Sequence, residues 1–263
     1  MCQYSIKTYY NDFPLVVGRV FDVFEPENIT KDVAIFIVHG GGWRVGSRQS
    51  FHKIMEAFCL RGYIVASTDY RLDAKDAFVQ LSDIRASYDN FISLLKEKNR
   101  PLKVAVYGES AGAHLVSLLA CADPGEAGEE NSLKNDWIKP YKAILQSTPI
   151  DFAPFENMMP SLRDSMRSIA GVAYEDQPEV YERLSLKNYI RKDNPSIFFM
   201  EAEYEGMFYS KHTKAVYEQL IEFGVDAKWK IYEGMEHGFF FNFDRKGQRE
   251  GFEDICNFID GVF

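Results

Sequence analysis

Ser110 stands in Gly108-Glu109-Ser110-Ala111-Gly112, a G-x-S-x-G pattern between an apolar run (residues 103–107) and a helix-forming stretch (114–121). A serine hydroxyl becomes an accessible nucleophile when it projects from a tight strand-to-helix turn. Glycine two positions either side removes side chains that would collide with neighbouring elements. A helix N-terminus behind the serine also offers positive backbone dipoles to a developing oxyanion. Earlier in the chain, His39-Gly40-Gly41-Gly42-Trp43 closes another apolar run, residues 33–38. Consecutive glycines cost roughly 0.5–1 kcal/mol each in backbone entropy relative to alanine. Beside a serine elbow, such a loop suits bare N–H groups that must come close to a substrate oxygen; a flexible turn is the plainer reading.

A serine of this kind needs a base, and the chain has five histidines. His39 opens the glycine loop, where a structural hydrogen bond is expected. His114 lies four residues beyond Ser110 on the following helix and reads as a satisfied core residue. His52 and His212 sit among polar helical residues and are expected at the surface. His237, in a glycine-flanked loop after an apolar run, can swing to the edge of a sheet and is the candidate base. HExxH and clustered His/Cys/Asp spacings are lacking, as are Walker and dinucleotide glycine patterns, so neither a metal nor another cofactor is expected. Asn28-Ile29-Thr30 matches a glycosylation sequon by pattern only.

The elements that must position these groups follow a regular order. Residues 4–10 and 16–24 read as strands joined by a hairpin turn at 11–14. Further strands are expected at 33–38, 63–68, 103–107, 143–147, 196–200 and 228–232. Several are continuously apolar, as buried parallel strands are. Helices are expected between them. In residues 80–98, Leu81, Ile84, Tyr88, Phe91, Ile92 and Leu95 form one stripe. In residues 211–223, Ala215, Val216, Leu220 and Phe223 do so, with Gly224 at the C-terminus. A last helix covers 252–258. This alternation predicts right-handed βαβ crossovers in an α/β fold. Residues 122–131 read as a solvated loop. Residues 151–194, with Pro154, Pro160 and Pro178, read as an insertion over the sheet's edge, with short helices at 162–169 and 180–184.

Composition narrows the function. The 263 residues are 46% hydrophobic and 26% charged, a globular balance that excludes disorder. At roughly 150 residues per domain, with no linker visible, a single domain spanning 1–263 is expected. Thirty Lys+Arg against 39 Asp+Glu leave a net charge of −9, which argues against a nucleic-acid partner. No apolar run approaches the roughly 20 residues that cross a bilayer, and the start lacks the charge and apolar pattern of a signal peptide. With Cys2, Cys59, Cys121 and Cys256 widely spaced and read as reduced, a cytoplasmic protein is expected.

Taken together, HGGGW, then Asp69-Tyr70-Arg71-Leu72, then YGESAGAHL, then the EGMEHGF stretch at 233–239 resemble the α/β-hydrolase superfamily. The resemblance is to small serine esterases related to hormone-sensitive lipase, to feruloyl/acetyl-xylan esterases and to kynurenine formamidases. It implies an α/β-hydrolase fold: a mostly parallel eight-stranded sheet, helices on both faces and a small lid insertion at 151–194, with Ser110 after the fifth strand. It further implies Ser110 as nucleophile, His237 as base, and Gly41, Gly42 and Ala111 as oxyanion-hole donors. The acid falls after the 196–200 strand, where Glu205 matches the family position and Glu203 is the rival.

The chain departs from these relatives in three places. Glu109 stands where formamidases and feruloyl esterases carry histidine, and Gly42 where formamidases carry tyrosine. Where lipase-like relatives carry an N-terminal helical cap, only two strands are expected ahead of the 33–38 strand, so any lid is expected mainly from residues 151–194. Phe152, Phe155, Met158 and Met159 of the insertion, with Trp43, Glu109, Phe208 and Phe239, are the candidate substrate-binding residues. The expected activity is hydrolysis of small-acyl or aromatic-acyl esters, with acetylated or feruloylated saccharides as candidate substrates. An arylformamide hydrolase and a non-catalytic ligand-binding protein are the alternatives. The expected partner is a small-molecule ester, with neither nucleic acid nor membrane; homodimerisation stays open.

Overall fold

The computed structural model describes residues 4–10, 19–131, 133–154 and 158–263. In chain order the strands are β1 (Tyr4–Tyr10), β2 (Val20–Pro26), β3 (Val33–Val38), β4 (Val65–Thr68), β5 (Lys103–Glu109), β6 (Lys142–Gln146), β7 (Ser196–Tyr204) and β8 (Ala227–Glu236). They form one eight-stranded sheet in the order β1-β2-β4-β3-β5-β6-β7-β8. β1, β2 and β4 pair antiparallel, and every pairing from β4 through β8 is parallel. This is the α/β-hydrolase architecture that the motifs imply. The turn expected at residues 11–14 lies outside the described residues.

The central strands alternate their side chains between two cores. On β3, Ala34, Phe36 and Val38 enter one cluster, and Val33, Ile35 and Ile37 the other. On β5, Val104 and Val106 face the first, Ala105 and Tyr107 the second. The first core is covered by α2 (Ala77–Glu97), α3 (Ala111–Cys121) and α6 (Ser210–Glu222). The second is covered by α1 (His52–Leu60) and α7 (Lys246–Asp260).

Element ends depart from expectation where capping decides them. α2 starts at Ala77 because Asp76 Oδ1 accepts from the Val79 amide at 3.0 Å. α7 starts at Lys246, where Gln248 Oε1 accepts from the Arg245 amide at 2.8 Å. α3 starts directly after Ser110. β4 begins at Val65 because the Tyr63 amide still bonds Phe58 O at the end of α1. β2 runs from Val20 to Pro26, and residues 16–18 of the expected strand lie outside the described residues. On α6 the buried face is Thr213, Val216 and Leu220, while Ala215 and Phe223 are exposed. His52 is not a plain surface residue, since its Nε2 lies 2.8 Å from buried Asp22.

Two loops bear on the site and its support. The insertion holds α4 (Pro160–Ala170) and α5 (Pro178–Leu184), followed by a 3₁₀ turn, Leu186–Tyr189. It leaves β6, an interior strand, and covers the carboxyl edge of the sheet beside α3. Leu162, Met166, Ile169 and Leu184 join the core that α3 occupies. Arg44 of the glycine-rich stretch ties the insertion down by donating to Ser168 Oγ at 2.6 Å. The loop at 122–131 departs from expectation and is not a plain solvated excursion. Its Glu129 is buried and pairs with the buried guanidinium of Arg85 on α2, which also donates to Ala122 O at 2.9 Å.

Breaking a buried pair strands one charge in low dielectric, which costs more than the pair contributes. Glu129→Ala is therefore expected to destabilise the protein by about 3–5 kcal/mol, read from urea midpoints at unchanged slope, and Arg85→Met in the same chain to recover much of that loss. A loss below about 0.5 kcal/mol, the level of an ordinary surface change, would contradict this account of the loop.

Candidate active site

β5 delivers Ser110 to the carboxyl edge of the sheet in a strained conformation, φ 51° and ψ −120°. The strain is held from both sides. The Ser110 amide donates to Gln146 O at 2.9 Å, and its carbonyl accepts from the His114 amide at 3.1 Å, opening α3. The flanking glycines are sites of close approach. A Cβ on Gly108 would lie 2.4 Å from Gly112 O, and one on Gly112 would lie 2.2 Å from Val38 O on β3. No side chain fits where α3 meets the strand, so the turn exists only with glycine at both places.

His237 follows β8 directly, and Glu205 follows β7. His237 Nε2 lies 2.8 Å from Ser110 Oγ, and its Nδ1 lies 2.9 and 2.8 Å from Glu205 Oε1 and Oε2. A carboxylate partner places the proton on Nδ1, so Nε2 is free to accept from the serine. Glu205 Oε1 also accepts from the amides of Met207 at 2.9 Å and Phe208 at 3.4 Å. Glu203 turns elsewhere, accepting from the Gly234 amide at 2.6 Å. A bulge separates the two carboxylates' tasks: Ala202 pairs with Tyr232, but Tyr204 pairs with Glu236. The extra residues on β8 meet Glu203 and let the chain carry His237 on to Glu205.

Burial disfavours the imidazolium of His237, but the hydrogen bond and charge of Glu205, with the charge of Glu109, outweigh it and raise its pKa. Burial likewise works against ionised Glu205, and its hydrogen bond to His237 overcomes that penalty, leaving its pKa lowered. Two further carboxyls lie close by. Burial pushes Glu109 up to about 7 and Glu201, on β7, up to about 8.

A cleft of about 370 Å³ opens over Ser110. Gly41 and Gly42 line it, at φ 109° and 56°, together with Glu109, His237 and Phe208. The Phe208 ring centre is 5.9 Å from that of His237. Ala111 begins α3 and is buried behind the cleft. Leu162 and Ser165 of α4, with Met207 and Phe241, complete the walls. Sequence reasoning missed these four. Leu162 reads as a core residue and Ser165 carries no signal, whereas Phe241 ends an aromatic run, Phe239–Phe241.

The expectations for Phe239, Phe152 and Met158 are corrected, since they lie away from the cleft, and Trp43 is turned inward at its wall. Trp43 lines the cleft, while its indole, 2% exposed, donates to His114 Nδ1 at 3.1 Å and props the glycine loop from the core side. That bond leaves His114 Nε2–H to donate to Leu184 O at 2.9 Å; burial pushes this histidine down to about 4. Phe239 packs on Tyr232 in the second core, ring centres 5.2 Å apart. Met158 and Phe152 line a separate cavity of about 220 Å³ beneath the insertion. Phe155 lies outside the described residues, and Met159 is exposed. His39 Nδ1 donates to Gly40 O at 2.7 Å, bracing the loop.

Glu201 gives a stability test. Its Oε1 has no hydrogen-bond partner, and burial favours its neutral form in the folded state. The stability it lends is fully present below the unfolded value near 4.5 and is lost as pH rises through about 8. Glu201→Gln cannot ionise, so its melting temperature is expected to exceed that of the wild type increasingly from pH 5 to pH 9, by several degrees at the top. Parallel melting curves across that range would contradict the buried, neutral carboxyl.

The BD-FAE family profile matches residues 21–220, from β2 through the glycine loop and the serine elbow to α6. Kynurenine formamidase of Drosophila melanogaster is 22% identical over 83% of this chain and 71% of its own length. Esterase LipQ of Mycobacterium tuberculosis is 25% identical over 72% of this chain, and the match spans 45% of that protein. Among solved structures, a thermophilic esterase from Thermogutta terrifontis with butyrate bound superposes with a TM-score of 0.77 at 20% identity, covering 98% of this chain and 94% of that one. Esterase B from Lactobacillus rhamnosis reaches 0.80 at 18% identity, covering 98% and 86%. No helix among the described residues is long and apolar enough to cross a membrane. With three quarters of its length matched by one profile, and with that profile's span holding both glycine motifs, the chain belongs to the BD-FAE family.

Proposed function

We propose that this protein is a serine carboxylesterase acting on small-acyl or aromatic-acyl esters through an acyl-enzyme. The observation that carries the reading is the continuous hydrogen-bonded series from Ser110 Oγ through His237 to Glu205, facing a cleft walled by bare backbone. Neutral His237 takes the Ser110 proton as Oγ attacks the ester carbonyl. Glu205 holds the Nδ1–H tautomer and stabilises the imidazolium. The tetrahedral oxyanion is received by the backbone N–H groups of Gly41, Gly42 and Ala111, each worth on the order of 3 kcal/mol in comparable sites. His237 then gives its proton to the departing alcohol, and water repeats the sequence to release the acid.

The cleft volume and its lining by Leu162, Met207, Phe208 and Phe241 favour a short acyl or a single aromatic ring over a long lipid chain. Acetylated or feruloylated saccharides fit that description. A formamide substrate is the second reading, favoured by the similarity to a kynurenine formamidase.

With p-nitrophenyl acetate, Ser110→Ala is expected to lose a factor of about 10⁶ in kcat and Glu205→Ala about 10⁴, as removal of such members does in serine hydrolases. Glu203→Ala is expected to stay within about threefold of wild type, since its hydrogen bond serves the strand end; a few-fold change is under 1 kcal/mol of barrier. Full turnover by Ser110→Ala would overturn the assignment, and collapse in Glu203→Ala would move the acid to Glu203. In a panel of p-nitrophenyl acetate, methyl ferulate and N-formylkynurenine, the esters are expected to give the higher kcat/KM. Preference for the formamide would establish the second reading.

A further inference from the structure

Glu109 ends β5 immediately before the serine and is 5% exposed, yet no step of the ester reaction described above uses it. Its two carboxyl oxygens lie against two different loops. A Cβ on Gly40 would sit 1.9 Å from Oε2, and a Cβ on Gly238 would sit 2.5 Å from Oε1. Gly40 belongs to the glycine loop and Gly238 directly follows His237. One side chain, rooted in the serine elbow, thus touches the backbone on either side of the reaction centre, at positions where only glycine leaves room.

We propose that Glu109 is a positioning residue for the esterase reaction: its carboxyl holds the glycine loop and the His237 loop at a fixed separation across Ser110 and, when ionised, lends a second negative charge to His237. The proposal rests on the esterase reading for its kinetic consequences but not for the placement of His237. Aspartate at 109 is one methylene short of spanning the two glycines, and alanine leaves a void between the loops. Such slackness acts on catalysis because displacement of a reacting group by about 1 Å costs on the order of 10²-fold in rate.

The groups facing this carboxyl can be named. The Gly40 backbone on the glycine loop hydrogen-bonds it, and His237 stabilises its anion, while Glu205 at the end of β7 opposes ionisation. The buried hydroxyls of Tyr70, after β4, and Tyr107, on β5, feel its charge in turn. Burial is the largest influence on Glu109 and pushes it up to about 7, and the charge of Glu109, added to that of Glu205, helps raise His237.

The test uses three variants, Glu109→Gln, Glu109→Asp and Glu109→Ala, each read in two ways. Histidine-selective NMR titration reports the His237 midpoint without reference to any substrate. Glu109→Gln keeps the shape and removes the charge, so that midpoint is expected to fall by about one unit, and the acidic limb of kcat/KM to move down with it into a simple one-group curve. Glu109→Ala is expected to lower kcat at the pH plateau by about 10–100-fold with KM changed less, and Glu109→Asp to recover only part of that loss. A His237 midpoint in Glu109→Gln within about 0.2 of wild type would overturn the charge role. Plateau kcat in Glu109→Ala equal to that of Glu109→Gln would overturn the positioning role. If Ser110→Ala retains activity while the His237 midpoint still falls, the esterase reading fails and the placement of Glu109 beside His237 stands.

Discussion

The backbone of Ser110 is the constraint on which the other features of the site converge. A non-glycine residue at φ 51° costs on the order of 1–3 kcal/mol, and it persists because neighbouring elements leave the chain no alternative. The ladder between β5 and β6 fixes its amide, α3 fixes its carbonyl, and Gly112 presses the first turn of α3 onto the end of β3. Parallel pairing then does the remaining work. Val38 pairs with Gly108, Glu109 with Gln146 and Gln146 with Met200, so the loops that follow β3, β5 and β7 all emerge on one rim. The glycine loop, the serine and Glu205 meet there although they are far apart in sequence.

The rim also gathers three carboxyls around one imidazole. Glu205 is ionised, stabilised by an imidazole and two amides. Glu109 and Glu201 are buried on neighbouring parts of the same sheet edge and lean toward their neutral forms. Three full negative charges there would repel one another in a poorly solvated space; one firm charge and two conditional ones avoid this. Histidines are sorted by the same means. His39 and His114 are spent on backbone carbonyls and depressed by burial, and only His237 has its second nitrogen turned to a serine.

Much of this was legible in the chain because close backbone approaches leave glycine signatures. Gly108 and Gly112 announce the elbow and Gly40–Gly42 the facing loop, and apolar runs announce the buried strands. The sequence was less informative where long-range packing decides. Trp43 adjoins the glycine loop in sequence, yet its indole is drawn inward by His114, a partner 71 positions away. Glu129 sits in a glycine- and glutamate-rich loop that reads as solvated, and only the fold shows that Arg85 waits beneath it. The choice between Glu203 and Glu205 turned on a strand bulge, which has no local pattern of its own. Phe152 and Met158 were expected to line the substrate pocket, but they line a different cavity, and α4 contributes walls to both it and the cleft over Ser110.

The account rests on one hydroxyl being made nucleophilic by its surroundings, and covalent capture tests that most directly. After brief exposure of the folded protein to a p-nitrophenyl phosphonate, intact-mass measurement followed by peptide mapping should find one adduct per chain, on Ser110. An unmodified Ser110, or a first adduct on any other residue, would contradict it.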